Sequence, residues 1–407
     1  MRLTLVTILV ISSSFNLKVN EGNANGFPIS SPNELLMNRI DFAEGLNLQE
    51  RFSSHIAKAN SGAEPLRILH IGDSHIQADI FTGETRRLLS WWLSDSLTSR
   101  GFTFPYRIAG SNGPADFRET ATGEWTNQRI TTNGVPGRMG VAGIVISTAS
   151  QGSSINFRLN TINGTSQLVD QIKVYADGLH LPSDIAVPLA SMEMFSEGFA
   201  SFKFDCPTDS FSIVLNGQSL TRSVRLFGME LVNSFSKVLY HSAGLNGATV
   251  GSYLLTENIY DQIVAINPQV IVLSLGTNDA FNDAFNPKVF SQNLKELVAK
   301  ISSALPTAII ILTTPGDHFI KKHHPNERLK LASAEIVNVA AELGCGVWDF
   351  YSLMGGKGSM KQWLQNGLSA PDMIHLSEKG YKLQGEMLFR ALAGLTRFDA
   401  ERPIKQQ

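Results

Sequence analysis

The feature that most limits the fold is a series of short, almost wholly apolar runs, each closing on a small or polar residue. They read "RILHIG" at 67–72, "KVLYHSAG" at 237–244, "QVIVLSLG" at 269–276 and "AIIILTTP" at 308–315. A strand that is apolar on both sides cannot face water on either, so such runs belong in a parallel sheet covered by helices on both faces. Helical periodicity follows them as that arrangement requires. It runs from Thr82 to Leu97, with Leu88, Leu89, Trp92 and Leu93 on one side, then over 249–265, 287–304, about 325–343 and Ser377 to Leu395. "GVWDF" at 346–350 reads as a last short strand. Residues 27–65 read as mainly helical, with Leu36, Ile40 and Ala43 at helical spacing.

Between the first and second runs the pattern changes. From about 112 to 233 the chain is rich in Gly, Asn, Thr and Ser and carries short alternating stretches: "GIVISTA", "SINFRLN", "QIKVYAD", "ASFKFDC", "SFSIVLN" and "VRLFGMELVN". Asn163-Gly164, Asp177-Gly178 and Asn216-Gly217 are turn signals between them. The expected architecture is an α/β domain interrupted by a β-sandwich of jelly-roll type. Its parts are 27–111 (a helical N-terminal segment and the first part of the α/β domain), 112–233 (the insertion) and 234–407 (the second part).

Residues 1–26 read as a signal peptide. Arg2 supplies a positive start and Leu3 to Phe15 an apolar stretch too short to span a bilayer. Export to the periplasm or the medium is the expectation. No cysteine lies near that stretch, which argues against a lipid anchor. Of 407 residues, 43% are hydrophobic and 17% charged, so packed cores are expected. The formal net charge of -2 gives no field for nucleic acid or for an anionic membrane, and no later segment reaches membrane-spanning length. Cys206 and Cys345 stand far apart, without metal-ligand spacing, so neither a disulfide nor a zinc site is expected. Lys321-Lys322-His323-His324 reads as a solvated loop, and His318 with Asp317 as loop surface.

In open parallel sheets, sites form at the carboxyl ends of the strands. The runs end in Gly72-Asp73-Ser74-His75, in Gly244-Leu245-Asn246-Gly247-Ala248 and in Gly276-Thr277-Asn278-Asp279. Pro371-Asp372-Met373-Ile374-His375 precedes the last helix. Each block alone has a plain structural reading: Ser74 and Asp372 as helix caps, Asn278 as a turn amide, Gly247 as a glycine of positive φ. Together they hold a hydroxyl, an imidazole with a carboxylate three residues away, and donors for an oxyanion.

This set resembles the SGNH (GDSL-like) hydrolase family, through "IGDSH", "GLNGA", "LGTNDA" and "PDMIHLSEKGY" in that order, over about 66–110 and 236–395. The resemblance implies a three-layer, flavodoxin-like fold. It implies Ser74 as nucleophile, His375 as general base and acid and Asp372 as its orienting partner, with the Ser74 amide, Gly247 and Asn278 as the oxyanion hole. It implies no cofactor and no metal. GDSH in place of GDSL, and the long β-segment, look like the bacterial peptidoglycan O-acetylesterases with an inserted module similar to a carbohydrate-binding module. The partner so implied is an O-acetylated glycan, with peptidoglycan favoured. A general or acetylxylan-type esterase, an O-acetyltransferase and a non-catalytic glycan binder are the competing readings.

Two further residues are candidates for substrate contact. His75 follows the nucleophile and could line the pocket or hold the turn. Trp125 stands in the polar stretch "TGEWTNQ", apart from the alternating aromatics such as Phe202, Phe204 and Phe211 that read as core.

Overall fold

The computed structural model describes residues 38–396, apart from 44, 46, 96–98, 133–136, 162–166, 197, 217–222 and 257. The expected signal peptide, Leu36, the Asn163-Gly164 turn and Gly217 lie outside the described residues. Five parallel strands form the central sheet: β1 (Leu66–Gly72), β2 (Val238–Gly244), β3 (Val270–Ser274), β4 (Ile309–Thr313) and β5 (Gly346–Trp348). Their spatial order is β2-β1-β3-β4-β5, the flavodoxin-like order. Gly72 pairs with Gly244 on one side and Ser274 on the other, so these three strands end level.

Alternation along β1 divides the core between two faces. Leu66 and Ile68 pack with Phe52, Phe81, Leu388 and Leu392, from the helices Leu48–Ser61, Ile80–Trp92 and Glu378–Gly394. Leu69 and Ile71 join Ile263, Leu294 and Ile336, from Asn258–Ile266, Pro287–Ala304 and Arg328–Leu343. His70 is a polar residue at the centre of β1 with no exposure. Its two ring nitrogens meet the Tyr240 hydroxyl at 2.8 Å and Ser274 Oγ at 2.6 Å, which removes the cost of burying them unpaired. Among the described residues, no helix is long and apolar enough to cross a membrane.

The β-rich stretch forms a seven-stranded and a four-stranded sheet, with antiparallel pairing throughout. Val145, Val174 and Phe202 from the first sheet, and Phe157 and Phe211 from the second, belong to the same buried cluster as Leu69 and Ile71. The six alternating stretches are all strands; Phe117–Thr122, Thr126–Arg129 and Ala190–Ser196 add strands that the alternation had not singled out. The larger sheet also takes in Gly101–Thr103, which precedes residue 112 and pairs with Val224–Val232.

Several expected helices differ in extent. Residues 38–43 carry no helix. Asp41 makes a two-way bridge with Val347 instead (2.9 and 2.7 Å), and Ile40 is buried against the β5 edge. The sheet edge offers these residues both backbone partners and apolar cover, which a lone helical turn cannot match. The helix expected over 249–265 is two helices, Val250–Leu254 and Asn258–Ile266. Thr256 lies between them, its hydroxyl donating to Met139 O at 2.7 Å and accepting from Met139 N at 3.0 Å. The helix from Ile80 stops at Trp92, and the Asp95 carboxylate then accepts the Lys237 and Val238 amides (2.8 and 3.0 Å) that open β2. Cys206 and Cys345 are free.

Candidate active site

β1 ends at Gly72 because nothing larger fits. A Cβ there would stand 2.8 Å from Ser274 O and 2.3 Å from Ile76 Cγ1. The chain then turns directly into the short helix Ser74–Gln77, with Asp73 as its cap accepting the His75 amide at 3.0 Å. Ser74 is thereby held at the carboxyl edge of the sheet with its hydroxyl aimed across the strand ends. Burial pushes the Asp73 carboxyl up to about 6, against the hydrogen bond from His75.

Ser74 Oγ lies 2.9 Å from His375 Nε2, across 301 residues of sequence. His375 Nδ1 lies 2.7 Å from Asp372 Oδ2. The other carboxylate oxygen of Asp372 accepts the backbone amides of Ile374 and His375, each at 2.9 Å. Burial raises the Asp372 pKa, but the His375 ring and those two amides more than offset this and hold the carboxyl below its ordinary value. An ionised Asp372 accepts only, so Nδ1 carries a proton and Nε2 is left to accept from the serine.

The loop after β2 and the turn after β3 are braced against each other. Asn278 Nδ2 donates to Ala248 O at 3.0 Å, which uses one of its two hydrogens. Asp279 accepts the Val250 amide at 3.2 and 3.3 Å, and burial pushes its carboxyl up to about 7. Gly247 has φ +80, the left-handed region that only glycine enters freely. Ser74, Gly247, Asn278 and His375 line one open groove of about 520 Å³, with Asn112, Asn246, Thr277, Phe281, Ile374, Tyr381 and Ala78.

His75 is not among the groove residues. Its Nδ1 lies 2.9 Å from the Tyr381 hydroxyl and its ring centroid 5.2 Å from that of His375. Burial lowers its pKa to about 3, so a neutral ring packs beside His375. The structure does not bring Trp125 into the groove. Its indole N–H donates to Thr122 O at 2.9 Å and its ring rests, partly buried, on the β-rich core. His318 and Asp317 are buried rather than on a loop surface: Asn326 Nδ2 holds His318 Nε2 at 2.9 Å, and Asp317 accepts the Met360 amide at 3.0 Å. The exposed part of that segment is Lys321 to His324. The sequence blocks assign no role to Gln77, Asn112, Asn246, Phe281 or Tyr381, although "GLNGA", "GTNDAF" and "EKGY" contain three of them.

Residues 209–383 match the GDSL-like Lipase/Acylhydrolase family, a span that holds Gly247, Asn278, Asp372 and His375 and leaves out Ser74. A solved peptidoglycan O-acetylesterase superposes with a TM-score of 0.72 at 23% identity, over 85% of this chain and 96% of that one. At that identity the likeness is one of fold. A GDSL-like lipase from Bacteroides thetaiotaomicron (TM-score 0.32, 17% identity, 38% of this chain and 76% of that one) is a more distant match. An acetylxylan esterase from Geobacillus stearothermophilus stands at a similar distance (TM-score 0.31, 17% identity, 42% of this chain and 78% of that one). No curated protein matches the chain.

Proposed function

We propose that this chain, whose residues 209–383 match the GDSL-like Lipase/Acylhydrolase family, is a carboxylic ester hydrolase: an exported serine esterase removing O-acetyl groups from a cell-envelope glycan, with peptidoglycan as substrate. The observation that carries this reading is the unbroken relay Ser74 Oγ–His375 Nε2, His375 Nδ1–Asp372, opening on a groove of about 520 Å³. The β-rich stretch, read as an inserted sandwich, would present the glycan to that groove. The fold shared with a peptidoglycan O-acetylesterase over most of both chains supports the choice of glycan.

In this reading His375 Nε2 takes the Ser74 proton as Oγ attacks the acetyl carbonyl. The carbonyl π pair moves to oxygen, where the Ser74 and Gly247 amides and the second Asn278 hydrogen receive the negative charge. Collapse of the tetrahedral intermediate breaks the bond to the sugar oxygen, which leaves with the proton from His375. Water then gives a proton to His375 Nε2 and attacks the acetyl-serine; acetate departs and Ser74 recovers its proton. Asp372 holds the ring in the required tautomer and stabilises the imidazolium without taking the proton.

Acetate release from O-acetylated peptidoglycan and from acetylated xylan, by the parent and by Ser74→Ala, tests this. Ser74→Ala should lose several orders of magnitude in rate, on the order of 4–8 kcal/mol of barrier. A variant that still hydrolyses p-nitrophenyl acetate at the parental rate sinks the esterase reading. Release from xylan but not from peptidoglycan overturns the choice of glycan.

A further inference from the structure

The groove holds polar groups that the acyl transfer does not use. Gln77 is buried one turn after the nucleophile, and its Oε1 accepts the backbone amide of Asn246 at 2.7 Å. A backbone N–H can only donate, so this bond decides which end of the Gln77 carboxamide faces which way. Nε2 must then face acceptors, and it does: Ser111 Oγ at 2.8 Å, Asn112 O at 2.6 Å and Asn112 Oδ1 at 3.0 Å.

The assignment propagates. Asn112 Oδ1, turned toward Gln77, also accepts Asn246 Nδ2 at 2.7 Å. What remains is Asn112 Nδ2, a donor, and Asn246 Oδ1, an acceptor, on two side chains hydrogen-bonded to each other. Both residues line the groove that holds Ser74 and Gly247, and no other described side chain or backbone group bonds to either atom. A donor beside an acceptor, each on a planar group already fixed by its neighbours, is the complement of a secondary amide, which offers one C=O and one N–H. Because the pair is held before substrate arrives, little rotamer freedom is lost on binding.

Building on the esterase reading above, we propose that Asn112 and Asn246, oriented by Gln77, form a subsite for a secondary amide of the substrate: an acetamido group on the sugar that carries the ester. The site would thus discriminate N-acetylated sugars from sugars that bear only hydroxyls at that position.

Two small esters isolate the difference: 6-O-acetyl-N-acetylglucosamine and 6-O-acetylglucose, which differ only at C2. The parent should show a kcat/KM about tenfold to a hundredfold higher for the acetamido sugar, mostly through KM. Asn112→Asp keeps the acceptor toward Gln77 and Asn246 but removes the donor, and should bring that ratio to within about threefold of unity. Equal turnover of the two sugars by the parent overturns the subsite. So does turnover of neither sugar by a parent that hydrolyses p-nitrophenyl acetate, or a ratio undisturbed in both Asn112→Asp and Asn246→Ala. None of these outcomes touches the esterase reading, whose failure is read separately from Ser74→Ala on p-nitrophenyl acetate.

Discussion

Asp372→Asn separates the orienting role of the carboxylate from its role as a loop cap. In the parent, Oδ1 caps two backbone amides at 2.9 Å and Oδ2 accepts a hydrogen bond from His375 Nδ1 at 2.7 Å. An asparagine can keep its oxygen on the two amides, which leaves its NH₂ facing Nδ1. The ring must then accept at Nδ1 and carry its proton on Nε2, where it can no longer take the proton of Ser74. In a fully buried triad of a serine protease, that exchange costs about 10⁴ in kcat. Here the Asp372 side chain is 44% exposed, so water can partly replace the lost carboxylate. The expected loss is correspondingly smaller, about 10²–10³ in kcat, or about 3–4 kcal/mol. The assay is kcat on p-nitrophenyl acetate beside a thermal melt. Since the caps survive, Tm should stay within about 2 °C of the parent. Asp372→Ala, which loses the caps as well, should lower both rate and Tm. An Asp372→Asn protein with unchanged Tm and a kcat within about threefold of the parent would refute the tautomer argument.

Two more outcomes follow from the same geometry. Gln77→Leu removes the acceptor that holds the Asn246 amide next to Gly247; kcat on p-nitrophenyl acetate should fall about tenfold, less than for outright loss of an oxyanion donor, and Gln77→Glu, which keeps that acceptor, should recover part of it. Equal rates for Gln77→Leu and the parent would remove Gln77 from the bracing of the oxyanion loop. For Asp73, the folded carboxyl keeps its proton up to about pH 6, against 3.8 for the ordinary group. The folded state therefore binds more protons than the unfolded one between those values, and the Asp73 contribution to stability falls as pH rises from about 4 to 6 and is flat above. The Tm of the parent minus that of Asp73→Asn should decrease over that window; a difference independent of pH would count against a buried, proton-holding Asp73.

The chemistry-bearing residues and the parallel sheet were legible in the chain because each depends on short-range pattern. Apolar runs without alternation demand cover on both faces, and a strand that ends on Gly72 or Gly244 presents whatever comes next at the sheet edge. Ser74, Gly247, Asn278, Asp372 and His375 could be named from such blocks, and the structure lines one groove with four of them and places Asp372 against His375. Helix limits were less legible because distant partners decide them. Thr256 opens a helix break by bonding to Met139, 117 positions away, and Asp41 leaves helical geometry for the free edge of β5.

The sequence by itself determined the layered α/β architecture and the residues of the relay, since period and block order are properties of neighbouring positions. Only the tertiary structure decided what surrounds them. Loop amides are common and carry no periodicity, so nothing in the chain marks Asn112, 35 positions from Gln77, or Asn246, 169 positions away, as its partners. The same holds for burial at single polar residues. His318 is enclosed and Trp125 sits outside the groove, because the side that a lone side chain faces is set by the packing of elements far from it in sequence.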